Sequence, residues 1–168
     1  MSFSMYQASI PVFVRMFGNL SAILDKAAAF AEAKKIDPAV LISARLAVDM
    51  LPLSKQIQIA SDAAKGAGAR LTGSEVPSFA DTETTFPELQ ARIARTVAFL
   101  QGLDAAQFDG CETREIVLKL AAGEVALKGD AYLLHFVLPN FYFHVTTAYA
   151  ILRHNGLDLG KTDYLGTV

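Results

Sequence analysis

Cysteine is nearly missing from this sequence. One residue, Cys111, among 168 excludes an internal disulfide and any paired-cysteine metal site, and it fits a reducing compartment. Tryptophan is absent, no run of basic residues occurs, and the formal net charge is −2. Nucleic acid and anionic membrane surfaces are therefore not expected among the partners. Long apolar runs are lacking too. The longest, Ala131 to Val145, is interrupted by His135, Pro139, Asn140 and His144, and it falls short of the roughly 20 apolar residues that a spanning helix needs. The N-terminus has neither the basic stretch nor the small-residue cleavage site of a signal peptide. These absences predict a soluble, cytoplasmic protein with no membrane association.

What is present is apolar residue content of 52% against 19% charged, enough for a packed core in one domain covering residues 1–168. Tyr6, Ile10, Phe13, Phe17, Leu20 and Leu24 recur at helical spacing, so a first helix is expected from about Phe3 to Lys35. Asp37-Pro38 reads as an N-cap with proline at the first helical position. A second helix is predicted from there to about Lys65, stopping at Gly66 and Gly68, with a loop over Leu71 to Thr84. Thr85-Phe86-Pro87-Glu88 matches a capping box. It opens a third helix, with Leu89, Ile93, Val97 and Leu100 inward, that ends near Gly102. Ile116, Leu118, Leu120, Val125 and Leu127 alternate about Ala121-Ala122-Gly123, which reads as a short β-hairpin. A fourth helix, capped by Asp130, runs to Asn155-Gly156, and the tail to Val168 is expected to be irregular. The fold class is mainly α, a four-helix bundle with one long crossover.

Polar residues on apolar faces mark the candidate site. Projected at 100° per residue, Arg45, Asp49 and Gln56 share the core face of the second helix with Ile42, Leu46 and Leu53, while Gln58, Asp62 and Lys65 fall on the solvated side. On the fourth helix Asn140 and His144 are i, i+4 neighbours on the stripe formed by Leu133, Val137, Phe141, Ala148 and Ile151. The plain alternative is structural: Arg45 pairs with Asp49 one turn on, and His144 is a satisfied core histidine. Pro52 and Pro139 are expected to bend both helices and open a cavity between them. Asp81, Glu83 and Glu88 read as a solvated loop and a helix start. On the other side of the fourth helix, His135, Leu138, Tyr142, Tyr149 and Arg153 form an aromatic and arginine stripe that suits a homodimer interface, unless another segment covers it.

The blocks PNFYFHVTTAYAILRHNG (Pro139 to Gly156), RLAVDMLPLSKQIQIASDAAK (Arg45 to Lys65), RLTGSEVP and the closing KTDYLG resemble an uncharacterised bacterial family, domain of unknown function 1993. The resemblance covers essentially the whole chain and places it near the DinB/YfiT-like superfamily of metalloenzymes. It implies an up-down-down-up four-helix bundle, often dimeric. Typical members of that superfamily bind a divalent metal through three histidines, one on helix two and an HxxxH pair on helix four. His144, nine residues before Arg153, matches the second histidine of the pair; Asn140 stands at the first, and Asp49 or Gln56 occupies the helix-two region. A zinc or nickel ion would thus find His144 and at most Asp49.

Three functions are expected in order. The first is a binding module in which Arg45, Asp49, Gln56, Asn140 and His144 orient a small molecule. The second, implied by the resemblance, is a thiol-dependent transferase or hydrolase, either metal-assisted through His144 and Asp49 or metal-free with His144 as general base. The third is a structural, dimerising protein.

Overall fold

The structure, a computed structural model, describes residues 4–120 and 123–167. Ser4 starts the first helix, α1 (Met5–Lys34), through a capping box: its hydroxyl accepts from the Gln7 N–H at 3.2 Å and the Gln7 side chain accepts from the Ser4 N–H at 3.1 Å. Pro11 falls inside α1 without ending it, and Lys35 closes it in the left-handed conformation, φ 55°. The expected inward stripe is buried from Ile10 to Leu24.

The expected second helix is broken. Asp37 caps a short helix, α2 (Pro38–Ile42), and regular structure resumes only at α3 (Leu53–Thr72). Residues 43–52 form a loop, closed where the Leu53 N–H donates to the Ala44 carbonyl at 2.9 Å. Pro52 is the physical cause. It keeps the residue before it out of the helical region and has no N–H to continue a helical ladder, so it stands at the N-cap of α3 instead of bending a continuous helix. Gly66 and Gly68 do not end α3. A Cβ on Gly68 would meet Leu103 Cδ1 at 2.7 Å and Leu100 Cδ2 at 3.1 Å, so this glycine lets α3 lie close to its neighbour. The helix stops at Gly73, φ 74°.

Helix α4 (Phe86–Gln101) begins with the expected Thr85–Glu88 capping box and stops at Gly102. Two 3₁₀ turns, Ala105–Phe108 and Cys111–Thr113, lead into β1 (Glu115–Leu120), which pairs antiparallel with β2 (Gly123–Lys128) in the register Glu115↔Lys128 to Leu120↔Gly123. The hairpin expectation holds for the strands; Ala121 and Ala122 lie outside the described residues. The last long helical run is α5 (Gly129–Ala131), a π-helical turn (Tyr132–Val137) and α6 (Leu138–His154). Asp130 sits in the first turn of this run, where its carboxylate accepts from the Ala131 N–H at 2.7 Å, and is not its N-cap. The π turn precedes Pro139, whose missing N–H disrupts the α-helical ladder there. The tail is not irregular: α7 (Lys161–Leu165) packs on α1, with Lys26 paired to Asp163 at 2.6 Å.

Cross-contacts set the direction of each long helix. Along α3 and α4, Asp62 meets Arg92, Ser61 meets Thr96, and Gly68 meets Leu100, so the two run parallel. Gln56 meets His144 and Arg70 meets Tyr132, so α3 and α6 are antiparallel. Phe17 meets Phe141 and Phe30 meets Gly156, so α1 and α6 are parallel. The order is up, down, down, up. Parallel α3 and α4 require residues 73–85 to return along the bundle. A helix of 20 residues rises about 30 Å, and an extended connection gains about 3.3 Å per residue, so the loop has length to spare.

Candidate functional site

Helix α3 is buried on two sides, and a different polar cluster lies on each. On the side facing α6, Gln56 is 1% exposed and His144 8%. The Gln56 Nε2 donates to the Leu51 carbonyl at 2.9 Å. That bond fixes the amide orientation and turns Oε1 toward His144 Nδ1, 2.7 Å away. An amide oxygen only accepts, so Nδ1 carries the proton and Nε2 is left with a lone pair. Nε2 makes no hydrogen bond among the described residues. Burial pushes the pKa of His144 below its ordinary value, which keeps the ring neutral. A neutral imidazole with one nitrogen spent and the other free can accept a hydrogen bond, take a proton or ligate a metal.

The other expected residues stand around this pair to different degrees. Asn140, one turn before His144, is half-buried and has no side-chain hydrogen bond among the described residues. Arg45 and Asp49 are not on a core face. Both are exposed in the loop 43–52, and the expected Arg45–Asp49 pair is replaced by an Arg45 bond to the Met50 carbonyl. The helical projection failed here because the helix does not run through Asp49; Leu46 is exposed for the same reason. The loop still adjoins the site, because Gln56 holds its Leu51 carbonyl. It carries exposed apolar side chains at Leu46, Val48 (97% exposed) and Leu51, and Phe143, edge-on to His144 at 5.2 Å between centroids, is 54% exposed. Among the described residues no group of three or more His, Cys, Asp or Glu comes together. The donor set at His144 therefore does not fit a resident zinc or nickel ion, which takes three or four protein ligands.

The second cluster was missed in the sequence. Gln58 and Lys65, expected on a solvated face, are buried together with Ser61 beneath α4 and the loop 73–85. Arg92 is buried there at 1% exposure. Its guanidinium reaches Asp62 at 2.8 Å, Asp81 at 3.0 Å, Glu83 at 3.1 Å and the Ala80 carbonyl at 3.1 Å. Lys65 pairs with Asp62 at 3.0 Å and Lys55 with Asp81 at 2.9 Å. Burial raises the Glu83 carboxyl, but its own backbone N–H, Gln58 and Arg92 outweigh it and hold the pKa below the ordinary range. Burial likewise raises Asp81, and Lys55 and Arg92 bring it down. A signal existed: Arg92 lies three residues after Leu89 and one before Ile93, on the inward stripe of α4. The expected stripe on the far side of α6 is partly covered. Tyr149 lies edge-on to Tyr164 of α7 at 6.0 Å, while His135, Tyr142 and Arg153 remain exposed.

Comparison with known proteins follows the same outline. The family described as Domain of unknown function (DUF1993) matches residues 5–165. A crystal structure of a DinB family member protein from Shewanella denitrificans superposes with a TM-score of 0.92 at 46% identity, covering 98% of this chain and 93% of that one. No curated protein matches the sequence significantly.

Proposed function

The chain belongs to the DUF1993 family, with the DinB fold, and from that premise we propose that it is a small-ligand-binding module anchored at His144. The observation that carries the reading is the Gln56–His144 hydrogen bond, which leaves Nε2 as a fixed, unspent acceptor at the α3–α6 edge. The ligand donates a hydrogen bond to Nε2 and is met by Asn140 one turn below. Its apolar part lies against Leu46, Val48, Leu51 and Phe143, an apolar surround with few polar groups of the kind that small-molecule sites use. Arg45 and Asp49 stand on the loop at the rim.

The test is solvent mapping by NMR with a set of small alcohols and amides. Shifts should concentrate on His144, Asn140 and residues 46–51, and should vanish in His144→Ala. Perturbations spread over the surface, or unchanged in that variant, would end the reading.

The same lone pair favours a second reading, an enzyme in which His144 is the general base and Gln56 its positioning residue. A neutral imidazole of fixed tautomer accepts the proton of a bound thiol or water. Metal analysis of the purified protein checks the zinc or nickel variant of this idea. The uncovered remainder of the stripe, His135, Tyr142 and Arg153, is the face through which a second copy would pair. Sedimentation as a monomer at micromolar concentration would remove that part.

A further inference from the structure

Away from His144, on the opposite side of α3, the loop 73–85 and α4 enclose an open cleft of about 310 Å³ lined by Thr82, Glu83, Glu88, Arg92 and Arg95, among others. We propose that this cleft binds a small oxyanion, a carboxylate or a phosphate, in the guanidinium fork of Arg95.

One cation unpaired among the described residues sets the sign of the ligand. Lys55, Lys65 and Arg92 are matched one for one by Asp62, Asp81 and Glu83 in a single connected network. Glu88 faces the cleft too, with its Oε2 tied to the start of α4, where it accepts from the Thr84 N–H at 2.7 Å, the Thr85 N–H at 3.0 Å and the Thr84 hydroxyl at 3.2 Å. Arg95 is the lining cation that has no ion pair and no hydrogen bond among the described residues. It is not loose. Its guanidinium carbon lies 3.7 Å from the centroid of the Phe79 ring, a stacking distance. Stacking restricts the plane and leaves the N–H edge unspent, so less order has to be imposed when a planar or tetrahedral oxyanion docks in the fork.

Arg92 lines the cleft as well, but its one N–H without an acceptor, at Nε, is sealed from solvent, as is the unpartnered Gln58 Oε1, so neither is open to a ligand. The Thr82 hydroxyl, exposed on the loop, has no partner among the described residues. A ligand entering beside Arg95 thus meets a guanidinium edge and a hydroxyl, which an acceptor-rich anion satisfies and a cation does not.

The experiment is an NMR titration of the full chain with sodium phosphate and separately with sodium acetate, each against sodium chloride at equal ionic strength. The Arg95 Nε–H resonance should move and saturate with one or both oxyanions and stay put with chloride. The arm that saturates identifies the chemistry. Arg95→Gln, an exposed substitution that leaves the buried network intact, should weaken binding roughly tenfold or more, and Phe79→Leu should weaken it less. An Arg95 signal that never saturates, or equal affinities in the wild type and Arg95→Gln, would overturn the proposal. The readout on Arg95 is independent of His144, so this result and that of the solvent mapping can succeed or fail separately.

Discussion

Two single residues show how the same core tolerates polarity by different means. His144 is kept neutral. Its folded pKa lies below that of the unfolded chain, near 6.5, so the unfolded state takes up a proton first as pH falls. The stability contributed by the neutral ring is complete above about pH 6.5 and is lost as pH drops through the folded pKa. In thermal unfolding, the advantage of the wild type over His144→Gln should therefore shrink between about pH 7.5 and about pH 5. A constant gap would mean that burial does not disfavour the charged ring. Arg92 is instead kept charged and surrounded. Arg92→Met removes the partner of Glu83 and leaves partly buried carboxylates uncompensated, which should cost about 3 kcal/mol in urea unfolding. Arg92→Lys should recover little of it, because an ammonium cannot span Asp62 and Glu83 as the fork does. Adding Glu83→Gln to Arg92→Met should cost less than it does in the wild type, since the two residues act together.

Elements written by local signals were legible in the sequence, and those decided from afar were not. The starts of α1 and α4 follow from contacts within four residues, and their apolar stripes have one period throughout. The break at residues 43–52 hides because Ile42, Leu46 and Leu53 keep a helical rhythm across it, and only Pro52 marks the discontinuity. Gln56 and His144 were both read from their apolar faces, yet their mutual bond needed α3 and α6 in register. Burial of Gln58 and Arg92 depends on Asp81 and Glu83 arriving from the loop 73–85, which no periodicity reports. Glycines divide similarly. A Cβ on Gly129 would lie 1.9 Å from the Cys111 carbonyl oxygen, backbone that cannot swing aside. Gly129→Ala should destabilise by about 2 kcal/mol or more. At Gly68 the obstructing atoms are leucine ends, and the gain in helix propensity offsets the push, so Gly68→Ala should stay within about 1 kcal/mol of wild type. Denaturant midpoints for the pair check both.

For the molecule as a whole, Cys111 is a reporter already in place. It is fully buried in the 3₁₀ turn that packs against α3 and α5, and burial pushes its thiol pKa up. Reaction with an aromatic disulfide reagent should be slow in the native protein and should follow global opening, accelerating with urea as unfolding does. Fast labelling in native buffer would show that the hairpin end opens by itself.

The parallel pair α3 and α4 forces the chain to travel back along the bundle before it can continue, and the returning strand delivers the acids that Arg92 requires. A stretch without repeating hydrogen bonds is ordinarily where a chain accepts insertions and cuts. This one divides in two. Near Ser74 and Glu75, which are exposed, extra residues would merely lengthen the path. Around Asp81 to Glu83 they would withdraw counter-ions from the interior, so a graft placed there would be felt as a charge defect between the two helices rather than as a longer loop.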